Sequence, residues 1–387
     1  MEHRPGVILL IPSSREFDRG LRRGIVDYAH AYGPWIFHEE PPPYLQCLTE
    51  RQRLRNMRAW NAQGMILLQS RFAEVRSLRI PTVVVIGTRR LSSAHYQVVC
   101  ANEEIGRMGA NMLIGMGLRN FAYCGLEGLE FSDKRSGGFM RVVQGAGYSA
   151  AVYSSPAGNL GQAWYAEESR LAIWLSSLPK PTGLMACNDD RARIVAEICR
   201  VQRIRVPDEI AILGVDNDEQ VCKSANPPLS SIALATERGG YEAAALLACL
   251  MSGRTPTSKV ITVHPTNAIA RGSTDILAVE DPRMILALRF IRENTNRNLR
   301  VPDVAAAAGF SRRALQDLFK KYLNRTPMEE LSRCRAERLA GLLARTNMTI
   351  GEIAAASGFE AGAHVARFFS RQIGITPLAY RKKCRVP

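Results

Sequence analysis

One short pattern occurs twice near the end of the chain, and it limits what that region can fold into more than any other feature. Ala305-x-x-x-Gly309-Phe310 is followed by Ser311, and Ala354-x-x-x-Gly358-Phe359 repeats it further on. Each copy runs into a basic stretch and ends in Thr-Pro, at Thr326-Pro327 and Thr376-Pro377. The spacing predicts helix, tight turn, helix, written twice. Alanine lets the first helix press close to the second, and glycine takes the positive φ of the turn without a Cβ clash. The apolar residue after it plugs the turn into a core, and a short polar side chain such as Ser311 caps the next helix. Thr326-Pro327-Met328-Glu329 and Thr349-x-x-Glu352 are capping boxes that open two further helices.

Charge points the same way. Residues 282–387 hold 20 Lys and Arg against 8 Asp and Glu, a net of +12, whereas the first 281 residues carry only +3 of the chain's +15. A basic, helical region of this kind collects phosphates and gains affinity by releasing counterions. Charges that merely keep a protein soluble have no reason to coincide with the repeated motif.

The preceding 270 or so residues alternate short apolar runs with amphipathic stretches. Strands are expected at Gly6–Ile11, Trp35–His38, Met65–Leu68, Val83–Ile86, Phe121–Cys124, Leu184–Ala186 and Ala211–Val215. Helices are expected between them, at Gly20–Tyr32, Leu48–Ala59, Glu104–Met116, Ser136–Ala146, Glu167–Leu178, Arg191–Gln202 and Gly239–Met251, with Pro12–Arg19 as a polar loop. That alternation predicts α/β architecture, parallel sheets wrapped by helices, with ligands at the carboxyl ends of the strands. The expected division is an effector domain over 1–272, a linker over 273–281 and an all-α domain over 282–387. Asp281-Pro282 starts the latter as a capped helix whose Met284, Ala287, Leu288 and Ile291 share one face.

The C-terminal part resembles the AraC-type DNA-binding domain nearly end to end. Both motifs, Phe319-Lys320-Lys321, the Thr-Pro endings and the bridging Arg335-Ala-Glu-Arg-Leu-Ala-x-Leu-Leu fall in order. The resemblance implies two recognition helices entering adjacent major grooves, which repeat on one DNA face about every 34 Å. The first is expected over about Ser311–Lys321. Arg312, Arg313 and Gln316 are the candidates for base edges, because arginine forks onto guanine and glutamine onto adenine. Lys320 and Lys321 are candidates for phosphate. The second is expected over about Glu360–Arg371, with His364 and Arg367 as contacts. It departs from the family at Ala361, Gly362 and Ala363, and a mid-helix glycine weakens a helix by about 1 kcal/mol. Less base readout is therefore expected from the second unit.

The first 270 residues are similar to the periplasmic-binding-protein-like effector domain of LacI-type regulators. The match runs through Asn102-x-x-Ile-Gly106, Arg135-x-x-Gly138-Phe139, Leu184-Met-Ala-Cys-Asn188-Asp189, Val206-Pro207-Asp208-Glu209-Ile210, Gly214-Val-Asp216-Asn217 and Pro227-Pro228-Leu229. The order of domains resembles that of regulators of xylose-type sugar operons. Phe17-Asp18-Arg19, Asp189-x-Arg191-Ala-Arg193 and Arg271-x-Ser273-Thr274-Asp275 extend that likeness, while Pro12 stands where such regulators are expected to carry asparagine.

The resemblance implies a sugar, D-xylose first among candidates, held between two lobes. Sugar hydroxyls need carboxylates, amides and guanidinium groups, with an aromatic face for the apolar side. Motif position nominates Arg135, Asn188 and Asp216, with Asp189 and Asn217 as neighbours. Trp164 and Phe17 are the candidate stacking rings, and Arg15 and Asp18 the wall of the first strand-to-helix loop. Each has a plainer reading: Asn188 or Asp189 as a helix cap, Trp164 and Phe17 as core, Arg135 paired with a surface acid. The implied partners are operator half-sites on DNA, a second copy of the chain and RNA polymerase.

Other classes find little support. The sequence shows no phosphate-binding Gly-x-x-x-x-Gly-Lys-Ser/Thr loop, no Gly-x-Ser-x-Gly elbow and no His-Glu-x-x-His helix, so no catalytic or cofactor site is expected. Nine cysteines without a Cys-x-x-Cys pair imply neither a disulfide framework nor a metal site. The apolar runs are too short to span a bilayer and no signal peptide is evident, which argues for the cytoplasm and against an exported sugar receptor. One alternative stays open here: an effector domain that only dimerises, or that senses something other than a sugar.

Overall fold

The computed structural model describes residues 4–41, 48–87, 95–156, 164–276, 281–323 and 325–384. Two α/β lobes are followed by a helical domain. The first lobe carries a parallel sheet in the order β11 (Val260–Val263), β5 (Tyr96–Cys100), β4 (Thr82–Val85), β3 (Gly64–Leu68), β1 (Gly6–Leu10), β2 (Ile36–His38). The second carries β12 (Pro265–Ile269), β10 (Ser230–Leu234), β9 (Ile210–Val215), β8 (Thr182–Ala186), β6 (Asn120–Glu127), β7 (Ala150–Pro156), where only β12 runs antiparallel to its neighbour. Helices cover both faces, so central strands read as unbroken apolar runs; every residue of β1, β8 and β9 is buried.

The expected strands are all present, and five more join them. β5, β7, β10, β11 and β12 lack the long apolar runs that signal a central strand. Helix α1 (Glu16–Tyr32) packs on α9 (Thr236–Met251) in the first lobe, and α4 (Asn102–Gly115) on α5 (Glu130–Gly145) in the second. The last pair fits so closely that a Cβ on Gly106 would lie 2.0 Å from the Arg135 carbonyl oxygen, and one on Gly138 2.2 Å from that of Glu103. Those two glycines bring Arg135 under the start of α4.

The chain crosses between the lobes three times: from β5 into α4, from β10 into α9, and from β11 into β12. Hydrogen bonds tie the crossings together, from Ala101 N to Val263 O and from Ala235 N to His264 O, both 2.9 Å. The segment read as a linker begins inside the second lobe. Ser273 and Thr274 are buried, and the Ser273 hydroxyl bridges Ser230 N at 2.8 Å and Ile212 O at 2.6 Å. Residues 277–280 lie outside the described residues.

The last domain is α10 (Pro282–Glu293), α11 (Val301–Ala307), α12 (Arg312–Leu323), α13 (Pro327–Arg345), α14 (Ile350–Ala356), α15 (Gly362–Ile373) and α16 (Pro377–Cys384). The two Ala-x-x-x-Gly copies form matching turns: Gly309 and Gly358 both take φ +67, and Phe310 N and Phe359 N bond back to Ala305 O and Ala354 O at 2.8 and 2.9 Å. Each unit has its own small core, around Leu315 and Phe319 in the first and Val365 and Phe369 in the second. Helix α13 runs through both, giving Leu331 and Cys334 to one and Leu339 and Leu343 to the other. Both sequence-predicted capping boxes are made.

A candidate ligand cleft and DNA-binding face

The cleft residues follow strand ends. Asp216 and Asn217 close β9 in a turn with positive φ at both, 102 and 52, a strained pair that aspartate and asparagine tolerate better than branched residues. Arg15 precedes α1. Phe17 and Asp18 sit in the first turn of α1, not in a loop as expected, because the helix begins at Glu16. Residues of the two lobes meet at this rim: Asp218 Oδ2 accepts from Glu16 N at 3.0 Å and from Arg19 Nη2 at 2.7 Å. Neither Arg19 nor Asp218 stood out in the sequence as a pocket residue, since a cross-lobe ion pair has no local signature.

Arg135 is the hub. Its Nε donates to Asn102 Oδ1 at 3.0 Å and a terminal nitrogen donates to the Cys187 carbonyl oxygen. Its other terminal nitrogen stands 3.7 Å from Asp216 Oδ1, with the two side chains 4% and 12% exposed. That oxygen has no hydrogen-bond partner. Burial pushes the Asp216 carboxyl up to about 6, against the pull of Arg135 and Arg15. Burial also raises Asp18, whose carboxylate takes the Arg15 Nε at 3.1 Å. A buried carboxylate oxygen without a hydrogen bond asks for a donor.

The other nominated residues hold the frame. Asn188 caps α7 (Asp189–Val201) through Arg191 N at 2.9 Å. Asp189 takes the Ser231 hydroxyl at 2.6 Å on one oxygen and Asp218 N at 2.7 Å on the other. Burial first, then repulsion from Asp216, pushes it up to about 8. Asn217 accepts from Arg271 Nη2 at 2.7 Å. Phe17 packs against the core of the first lobe. Trp164 begins α6 (Trp164–Ser177), and its side chain lies outside the described residues.

On the helical domain, the first recognition helix covers Arg312–Leu323, with Ser311 capping Ala314 N at 3.2 Å. Ser311, Arg312, Arg313, Gln316, Lys320 and Lys321 are all exposed, opposite the buried Leu315 and Phe319. The second is Gly362–Ile373, two residues later than expected at each end. Ala361 has no side-chain oxygen to cap it, which is the departure seen in the sequence. His364 and Arg367 are exposed on it. Among the described residues no helix is long and apolar enough to cross a membrane, and no cluster of His, Cys, Asp and Glu is arranged to hold a metal ion.

Two family models match the chain. A periplasmic binding protein-like domain matches residues 110–274, and a helix-turn-helix domain matches residues 304–383. The xylose operon regulatory protein of Escherichia coli (strain K12) is 28% identical over 389 residues, covering 97% of this chain and 96% of the relative. That of Haemophilus influenzae is 29% identical over 311 residues, 79% of this chain and 80% of the relative. The solved structure of the xylose-binding transcription activator xylR aligns over 98% of both chains, with 26% identity and a TM-score of 0.60. Over nearly its whole length the chain is similar to these xylose operon regulators. It joins a periplasmic-binding-protein-like domain to a helix-turn-helix domain, and its function is ligand-responsive DNA binding in the control of transcription.

Proposed function

We propose that this regulator senses a small sugar, D-xylose first, at the Asp216–Arg135 pair between its lobes. The observation that carries the reading is the buried Asp216 Oδ1 with no hydrogen-bond partner. Asp216 offers acceptors and Arg135 donors, which together suit the alternating demands of sugar hydroxyls. Arg15 and Asp18 close the first-lobe side, Asp189 and Asn217 keep the second-lobe turn in place, and Asn188 caps α7. Trp164 and Phe17 remain the aromatic candidates for the apolar face.

In the DNA-binding domain, Arg312, Arg313 and Gln316 read bases in one major groove and Lys320 and Lys321 hold phosphate. Ser311 fixes the start of the first recognition helix. His364 and Arg367 contribute the second, weaker contact. The chain works as a homodimer on two half-sites in the cytoplasm, and activates by placing RNA polymerase. Sugar acts by binding one lobe arrangement more tightly than the other, the only way a ligand shifts such an equilibrium. Thermal unfolding across pentoses and hexoses tests the site. A sugar at a hundred times its dissociation constant adds about 2.7 kcal/mol to the effector domain. D-xylose should raise its transition, and Arg135→Ala should abolish the rise. A rise with another sugar only would change the ligand, and no rise with any would leave a dimerisation module.

A further inference from the structure

The DNA-binding domain is seated on the hinge of the effector domain. Glu104 stands in the first turn of α4, immediately after the first crossing between lobes. Its carboxylate meets His264 Nδ1, on the third crossing, at 2.6 Å. It also meets Lys383 Nζ, from α16, at 3.1 and 3.4 Å. Tyr380, on the same helix and 8% exposed, donates its hydroxyl to the Thr266 carbonyl oxygen two residues past that crossing. One carboxylate therefore joins two hinge strands to the last helix of the DNA-binding domain. The hydrogen bond from His264, with Lys383 beside it, holds Glu104 ionised, down to about 2.

The same turn of α4 reaches the ligand cleft. Asn102, two residues before Glu104, is the partner of Arg135, which faces Asp216. At the far end of α4 the contacts are of another kind. Arg119 Nη2 donates to the Lys321 carbonyl oxygen at 3.1 Å, and Arg333 lies against Gly115, so the DNA-binding domain here meets the second lobe away from the crossings. Of these contacts, the Glu104 end is the one that sits on the crossings between lobes.

We propose that Glu104 couples the lobes to the DNA-binding domain: lobe rotation turns the Glu104–His264 seat, and α16, gripped by Lys383 and Tyr380, turns with it. This is a two-state element that both sites bias, the physical requirement for coupling. The inference rests on the regulator reading above but not on which sugar binds.

The test is a cycle on DNA affinity measured without sugar, using the full chain and a selected two-half-site DNA fragment at fixed salt. Arg19→Ala removes the cross-lobe ion pair with Asp218, and Lys383→Met removes the grip on Glu104. A coupled pair gives a double variant whose affinity departs from the product of the single effects by about five-fold or more, the lower end of measured allosteric couplings. Glu104→Gln in place of Lys383→Met gives the same departure, which separates the seat from any direct contact of Lys383 with phosphate. Effects that multiply within two-fold, roughly the additivity of independent sites, overturn the proposal. Sugar that fails to act on the wild type while the cycle shows coupling removes the ligand reading alone. Sugar that changes DNA affinity by the same factor in wild type and Lys383→Met removes the coupling proposal alone.

Discussion

Asp216→Asn should make this protein more stable at neutral pH while removing its ligand response. The fold lifts the Asp216 carboxyl from the ordinary 3.8 to about 6, because burial penalises the charged form more than Arg135 and Arg15 reward it. At about 1.4 kcal/mol per pH unit, that difference amounts to at most roughly 3 kcal/mol. The sign follows from linkage. The folded state holds the proton more tightly than the unfolded one, so this stability is complete below about pH 4 and is lost as pH rises through about 6. Asparagine keeps the shape, tolerates the positive φ and never ionises. For a domain of this size 1 kcal/mol moves the melting temperature by about 2–4 °C. The effector transition of the variant should lie roughly 6–12 °C above wild type at pH 7.5 at most, with the gap closing toward pH 4. Scanning calorimetry at pH 4.5, 6 and 7.5 reads this directly, with D-xylose shifting only the wild type. A gap that does not change with pH, or a variant less stable at pH 7.5, would refute the reasoning.

Three further outcomes are expected. Gly106→Ala places a Cβ 2.0 Å from the Arg135 carbonyl oxygen and 2.7 Å from Phe139 N. It should cost about 1–3 kcal/mol, as overpacking does, and abolish the sugar-induced thermal rise by displacing Arg135; an unchanged melting curve would contradict it. Glu330→Gln leaves Arg325 and Arg333 without the fully buried carboxylate they share at 3.0 and 2.6 Å. Denaturation of the DNA-binding domain should show a loss of about 3 kcal/mol, the lower end for breaking a buried pair; near-neutrality would argue against its structural role. Arg312→Ala should relax discrimination at one base pair by about 1–3 kcal/mol in a binding-site selection. His364→Ala should do less, and equal losses would place both helices on the same footing.

Local signals carried the fold as far as local physics reaches. The Gly309 and Gly358 turns, the two capping boxes and the central strands were legible, because each is set by residues close together in the chain. β5, β7, β10, β11 and β12 were not, since they lack the unbroken apolar runs of the central strands. The cleft shows the same division. Motif position nominated Asp216 and Arg135, which the fold places 3.7 Å apart, and also Asp189 and Asn217, which brace the turn that carries Asp216, and Asn188, which caps α7. It missed Arg19 with Asp218, and Glu104 with His264 and Lys383, since these pairs join residues 199, 160 and 279 apart in the chain. The early start of α1 was hidden by the polar face of Glu16, Asp18 and Arg19, which reads as loop until Arg15 takes up Asp18 and Asp218 takes up Arg19.

The central claim is that a sugar held at Asp216 changes how the chain binds DNA. Fluorescence anisotropy of a selected two-half-site fragment at fixed salt, with and without saturating D-xylose, tests it most directly. The account predicts a change in dissociation constant of about five-fold or more for wild type and none for Asp216→Asn. A wild-type affinity that no pentose or hexose alters, or the same change in Asp216→Asn, would contradict it.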